Sequence, residues 1–118
     1  MITPETFSID EVRVGGVHRL TPIGELDVAT SPLLESAFDA VFTDDDVEMI
    51  VVDLTALSFM DSTAIHMLLR MCAACEDADR LRVVNGSRAV ERLLDLTGVR
   101  AQLPIISSDL DPFARSSR

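Results

Sequence analysis

Met49-Ile50-Val51-Val52-Asp53-Leu54 is apolar until Asp53, and shortly after it comes Leu57-Ser58-Phe59-Met60-Asp61-Ser62-Thr63-Ala64-Ile65. A continuous apolar run of this length suits a strand covered on both faces, as in the parallel part of a sheet flanked by helices. The second stretch enters a pattern of helical spacing, with Ile65, Leu68, Leu69, Cys72 and Cys75 as its inner stripe. Ser58 to Asp61 therefore reads as a loop on the strand's carboxyl rim, and the helix starts near Ser62. If Asp61 is the N-cap, Met60 and Ile65 stand where a hydrophobic staple fixes the helix entry.

Upstream, Phe7 to Val14 and Val17 to Ile23 are rich in β-branched residues, and Gly15-Gly16 separates them. Two glycines there supply the positive φ of a tight hairpin turn. Pro22 marks an irregular or unpaired end of the second strand. Ser31-Pro32 reads as N-cap and first helical residue, followed by a buried stripe of Leu33, Leu34, Ala37, Phe38 and Val41. Asp44-Asp45-Asp46 lacks the glycine and distal glutamate of a calcium loop and reads as a solvated connection.

Downstream, Leu81 to Val84 is a short strand. Ser87 caps a helix with Val90, Leu93 and Leu94 inward, and Gly98 ends it as a left-handed C-cap. Leu103 to Ile106 is the last strand. Asp111-Pro112 opens a short final helix or frayed tail over about residues 112–118. The order predicts an α/β fold: an antiparallel N-terminal hairpin, then parallel strands, in one mixed β-sheet with flanking helices. Residues 1–118 are expected to form a single domain.

The chain has 118 residues, 47% of them hydrophobic, and a formal net charge of −10. That charge argues against a nucleic-acid backbone or an anionic membrane as partner and favours basic protein surfaces. No apolar run is long enough for membrane insertion, and the N-terminus lacks the basic and apolar regions of a signal peptide, so a cytoplasmic protein is expected. All ten basic residues are arginine. Without lysine there is no Schiff-base lysine, phosphate-loop lysine or lysine general base. Cys72 and Cys75 lie within a helical pattern and lack further metal ligands, so they read as small helix residues with no metal site. No nucleophile elbow or nucleotide loop is present, and neither an enzyme nor a cofactor is expected.

Chemistry instead gathers at the rim. Asp27 leaves the second strand toward the same rim as Asp61, so Asp27, Asp61 and Ser62 are expected to form one acidic patch around a hydroxyl. Aspartate, serine and threonine are common at helix starts, and spacing alone favours a helix cap over a modifiable group. His66 is expected to face solvent. Met71 reads as a gap-filler, whereas Met60 and Met67 read as adaptable docking residues.

Gly24-Glu25-Leu26-Asp27, Leu57-Ser58-Phe59-Met60-Asp61-Ser62-Thr63 and Leu96-Thr97-Gly98-Val99 together resemble the STAS domain of anti-sigma factor antagonists. The resemblance covers nearly the whole chain and includes the order of elements. It implies an antagonist that captures an anti-sigma factor, itself a serine kinase, and so frees a sigma factor for transcription. Phosphorylation of the serine after the motif aspartate breaks that capture, and a serine phosphatase restores it. By motif position the acceptor is Ser62, with Thr63 as a possible second acceptor and Asp27 and Asp61 as the surrounding acids. Glu25, Met60, Thr63, Ala64 and Met67 are the implied partner contacts. Such a chain is a substrate and ligand rather than an enzyme.

One departure bears on this. Ala64 stands where the family usually has glycine, and its methyl is expected to crowd an approaching kinase. That feature favours the alternative, a non-switching STAS subunit of a transporter assembly or stress-signalling complex. A response-regulator receiver with Asp53 as phosphoacceptor is excluded, because the chain has no lysine and its first strand ends in Gly15-Gly16 rather than an acidic pair.

Overall fold

The computed structural model describes residues 6–75 and 80–106. The final helix or tail expected near 112–118 lies outside the described residues. The elements are β1 (Ser8–Val14), β2 (Val17–Leu26), α1 (Ser31–Phe42), β3 (Met49–Asp53), β4 (Leu57–Met60), α2 (Ser62–Cys75), β5 (Leu81–Val84), α3 (Arg88–Thr97) and β6 (Ile105–Ile106). A 3-10 turn at Arg100–Gln102 precedes β6.

The strands form one sheet in the order β1-β2-β3-β5-β6, with β4 also pairing β2. β1 and β2 are antiparallel, and every other pairing is parallel. The mixed sheet expected from the sequence is thus present. The hairpin closes with Val14 opposite Val17. Gly15 has φ 60, which a side chain adopts only with strain and which glycine takes freely.

One expectation is corrected. Ser58 to Met60 is not a loop, because Leu57–Met60 forms β4 beside the far half of β2. β2 changes partner along its length. Val17 to Leu20 pair with β3, and Gly24 to Leu26 pair with β4, with a register shift between Gly24 and Glu25. Pro22 lies between these two ladders, where its missing N–H interrupts neither, and the strand continues past it to Leu26.

Gly24 is the pivot of this change. Its φ is 114, and a Cβ there would stand 3.1 Å from the Thr6 carbonyl oxygen. Gly24→Ala is expected to lower stability by ~1–3 kcal/mol. Urea unfolding of the two proteins measures this, and a loss below about 0.5 kcal/mol would contradict it.

The core lies between the sheet and the helices. Leu20, Ile50, Val52, Leu81 and Val83 meet Leu34 and Phe38 of α1, Leu68 and Met71 of α2, and Val90 and Leu94 of α3 in one buried cluster. Each such side chain contributes ~1.5–3 kcal/mol when fully buried. All of Ile50 to Asp53 is buried, as the unbroken run suggests. Two stripes differ from expectation. Leu33 is exposed on α1, and the buried face of α2 is Ala64, Ile65, Met67, Leu68, Met71 and Cys75.

Caps fix the helix ends. Ser87 Oγ accepts from the Val90 N–H, and Gly98, with φ 73, closes α3. The α1 cap is Thr30 rather than Ser31, which moves Pro32 one place deeper into the first turn. Arg70 of α2 donates from Nε and Nη2 to the Glu35 carboxylate of α1, at 3.1 and 3.0 Å. This exposed fork adds little to stability but orients two helices that pack together.

Candidate functional site

Parallel pairing of β2 with β4 builds the site. Leu26 lies opposite Met60, so Asp27 and Asp61 leave the sheet side by side. The Asp61 N–H donates to the Leu26 carbonyl at 3.3 Å and closes the junction.

Asp61 is the N-cap of α2. Its Oδ1 accepts from the Ala64 N–H at 3.2 Å, and its carbonyl accepts from the Ile65 N–H at 3.2 Å. Met60 and Ile65, on either side of the cap, are both in the core cluster. The question of cap against free hydroxyl therefore has a geometric answer: Asp61 caps the helix, and Ser62 is its first residue. Asp61→Ala is expected to cost ~0.5–2 kcal/mol by leaving the Ala64 N–H without its acceptor. Chemical denaturation measures the loss, and an unchanged midpoint would contradict the cap.

Ser62 is exposed, and among the described residues its hydroxyl makes no hydrogen bond. It sits at the positive end of the α2 dipole, beside N–H groups that the helix leaves without internal partners. Thr63 is half-buried.

Asp27 has a structural duty as well. Its Oδ1 accepts from the N–H groups of Ala29 and Thr30 at 3.0 and 3.1 Å. The buried Thr30 hydroxyl accepts from the Asp27 N–H at 2.9 Å and donates its proton to the Glu25 carbonyl at 2.7 Å. This knot turns the chain from β2 into α1 and holds the Asp27 carboxylate at the rim beside Asp61.

Three expected docking residues are elsewhere. Met67 and Ala64 are 0% exposed and Met60 is 5% exposed. All three side chains belong to the core, because α2 lays their positions against the sheet. Ala64 therefore presents no methyl to the surface, and the expected obstruction to a kinase is removed. Glu25 is half-buried, and His66 faces solvent as expected.

Exposed apolar side chains on the segments that lead into this rim were not anticipated from the sequence. Val28 directly follows Asp27 and is 71% exposed; Phe59, two residues before Asp61, is 46% exposed; Leu33, in the first turn of α1, is 44% exposed. The signal was available in Val28, an aliphatic residue in a polar turn. Phe59 was obscured because β4 shows the pattern buried, exposed, exposed, buried in place of simple alternation.

Asp53 is buried and accepts through Oδ1 from the Thr55 N–H at 2.9 Å and the Thr55 hydroxyl at 2.6 Å. Its carboxylate thus orders the turn from β3 to β4. Cys72 is half-buried and Cys75 buried, neither in a disulfide, and burial pushes the Cys75 pKa up. Among the described residues no helix is long and apolar enough to cross a membrane.

Comparison with known proteins agrees with this fold. The family model of the STAS domain matches residues 8–111. An anti-sigma F factor antagonist of Paenibacillus polymyxa is 30% identical over 89 residues, covering 75% of this chain and 76% of that protein. An anti-sigma-B factor antagonist of Staphylococcus aureus is 33% identical over 91 residues, covering 76% of each. The crystal structure of an anti-sigma factor antagonist from Mycobacterium paratuberculosis superposes with a TM-score of 0.81 at 27% identity, over 98% of this chain and 97% of that one. With its sheet and these relatives in agreement, the chain belongs to the STAS domain family, among the anti-sigma factor antagonists.

Proposed function

We propose that this protein is a cytoplasmic regulator of transcription that captures an anti-sigma factor and releases it when Ser62 is phosphorylated. The observation that carries this is the Ser62 hydroxyl: exposed, unbonded among the described residues, and relieved of capping duty by Asp61. The anti-sigma factor is the serine kinase, a separate phosphatase reverses the modification, and the chain itself catalyses nothing. Thr63, half-buried, is a poorer acceptor than Ser62.

Docking in this reading uses the exposed rim. Glu25, Thr63 and the two aspartates supply polar contacts, and Val28, Leu33 and Phe59 supply apolar ones. A phosphate adds roughly −1.5 to −2 charges at neutral pH. Placed beside two carboxylates on a docking surface, that charge must lose water next to groups that repel it. The helix dipole partly stabilises it, so the surface changes and the fold does not. The non-switching alternative, a STAS subunit of a transporter or stress-signalling complex, loses its one supporting residue now that Ala64 is in the core.

Titration calorimetry with the cognate anti-sigma factor tests the proposal. Unmodified protein is expected to bind and Ser62-phosphorylated protein to fail. Equal binding by both forms, or by neither, would sink it.

A further inference from the structure

We infer that the chain also self-associates through β1, which pairs antiparallel with β1 of a second copy and sets Val12 opposite Val12. β1 pairs with β2 on one side, and no described strand pairs with its other edge. It has seven residues in unbroken register with β2 and contains neither proline nor bulge. Val12 and Val14 are 40% and 50% exposed. An edge of this length and character is a template for another strand unless charge prevents it.

Backbone geometry limits the possible registers. Val14 and Val17 flank a two-residue turn and exchange hydrogen bonds, so Val12, Asp10 and Ser8 also direct their N–H and C=O groups to β2. Ile9, Glu11 and Arg13 direct theirs outward. Pro22, opposite Ile9, fits this alternation, since that pair needs no N–H from β2. Two copies related by a two-fold axis must match outward residue with outward residue, so the axis passes through a residue.

Charge then selects one register. Centring on Asp10, Glu11 or Arg13 opposes like charges directly. Centring on Ile9 pairs only Ser8 to Asp10 within the two strands and carries Glu11 and Arg13 past the start of the partner's β1. Centring on Val12 places Glu11 of each copy opposite Arg13 of the other and brings the two Val12 side chains together. Glu11 is 47% exposed with only Oε1 on His18, and Arg13 is 36% exposed with Nη1 on Asp44. Oε2 and Nη2 thus face no described partner and can meet across the interface. Val12 pairs with Arg19, seven residues before Leu26, so the interface lies roughly 23 Å along the strand from the Ser62 rim and leaves it open.

Sedimentation equilibrium of the full chain over a concentration series tests this. The wild type is expected to approach twice the chain mass as concentration rises. Val12→Lys, which touches neither the His18 nor the Asp44 contact, is expected to remain at single mass with an unchanged circular dichroism spectrum. Glu11→Arg is expected to remain at single mass too, and the double exchange Glu11→Arg with Arg13→Glu to regain the dimer. A wild type of single mass throughout overturns the inference, as does a dimer indifferent to Val12→Lys or Glu11→Arg, or a charge exchange that restores nothing.

Discussion

Ser62→Glu is expected to weaken capture of the anti-sigma factor by at least tenfold, about 1.4 kcal/mol, and a full phosphate by roughly a hundredfold. The magnitude follows from where the charge arrives. Val28 and Phe59 flank the acidic pair, and Ser62 lies exposed beside it. A carboxylate in the middle of such an interface must shed its water, and Asp27 and Asp61 offer it repulsion rather than a partner. Ser62→Ala removes only a hydroxyl and is expected to bind within about twofold of wild type while resisting release, since one exposed hydroxyl contributes little to affinity. Calorimetric titration of the three proteins reads both effects. Wild-type affinity in Ser62→Glu would remove Ser62 from the interface.

Met67→Ala is expected to lower folding stability by ~2–5 kcal/mol. Domains of this kind are stable by only ~5–15 kcal/mol, so the loss is a large fraction of the total. Met67 is 0% exposed on the inner face of α2, where truncation leaves a cavity. Affinity per folded molecule should not change. Phe59→Ala is the converse. Its side chain is 46% exposed, so stability should move by no more than about 0.5 kcal/mol, while docking should lose about 1 kcal/mol or more. Denaturant titration beside binding measurements separates the two. A surface role for Met67 would show as weaker binding at unchanged stability.

Residues with strong local chemistry were readable without coordinates. Gly15, Ser87 and Gly98 act as their backbone preferences dictate, though Gly16 does not share the positive φ expected of both turn glycines, and Leu81–Val84 forms a strand as expected. The acidic pair was readable because strand ends and helix starts share a rim in parallel sheets. β4 was not readable. Its four residues do not alternate, and it exists because β2 outruns β3 and leaves a ladder to fill. Pro22 and Gly24 hinted at that change of partner without naming the new one. Helix faces were readable only to within one position per turn. That margin put Leu33 inside, when it is exposed, and Met67 outside, when it is buried. The same margin turned Ala64 from a surface obstacle into a core residue.

In the proposed switch, one hydroxyl decides which partner is held. Mass spectrometry of the protein after incubation with its cognate anti-sigma kinase and ATP tests it most directly. A single phosphate on Ser62, appearing together with release of the kinase, is the expected result. An unmodified Ser62, or a phosphate on another residue, would contradict it.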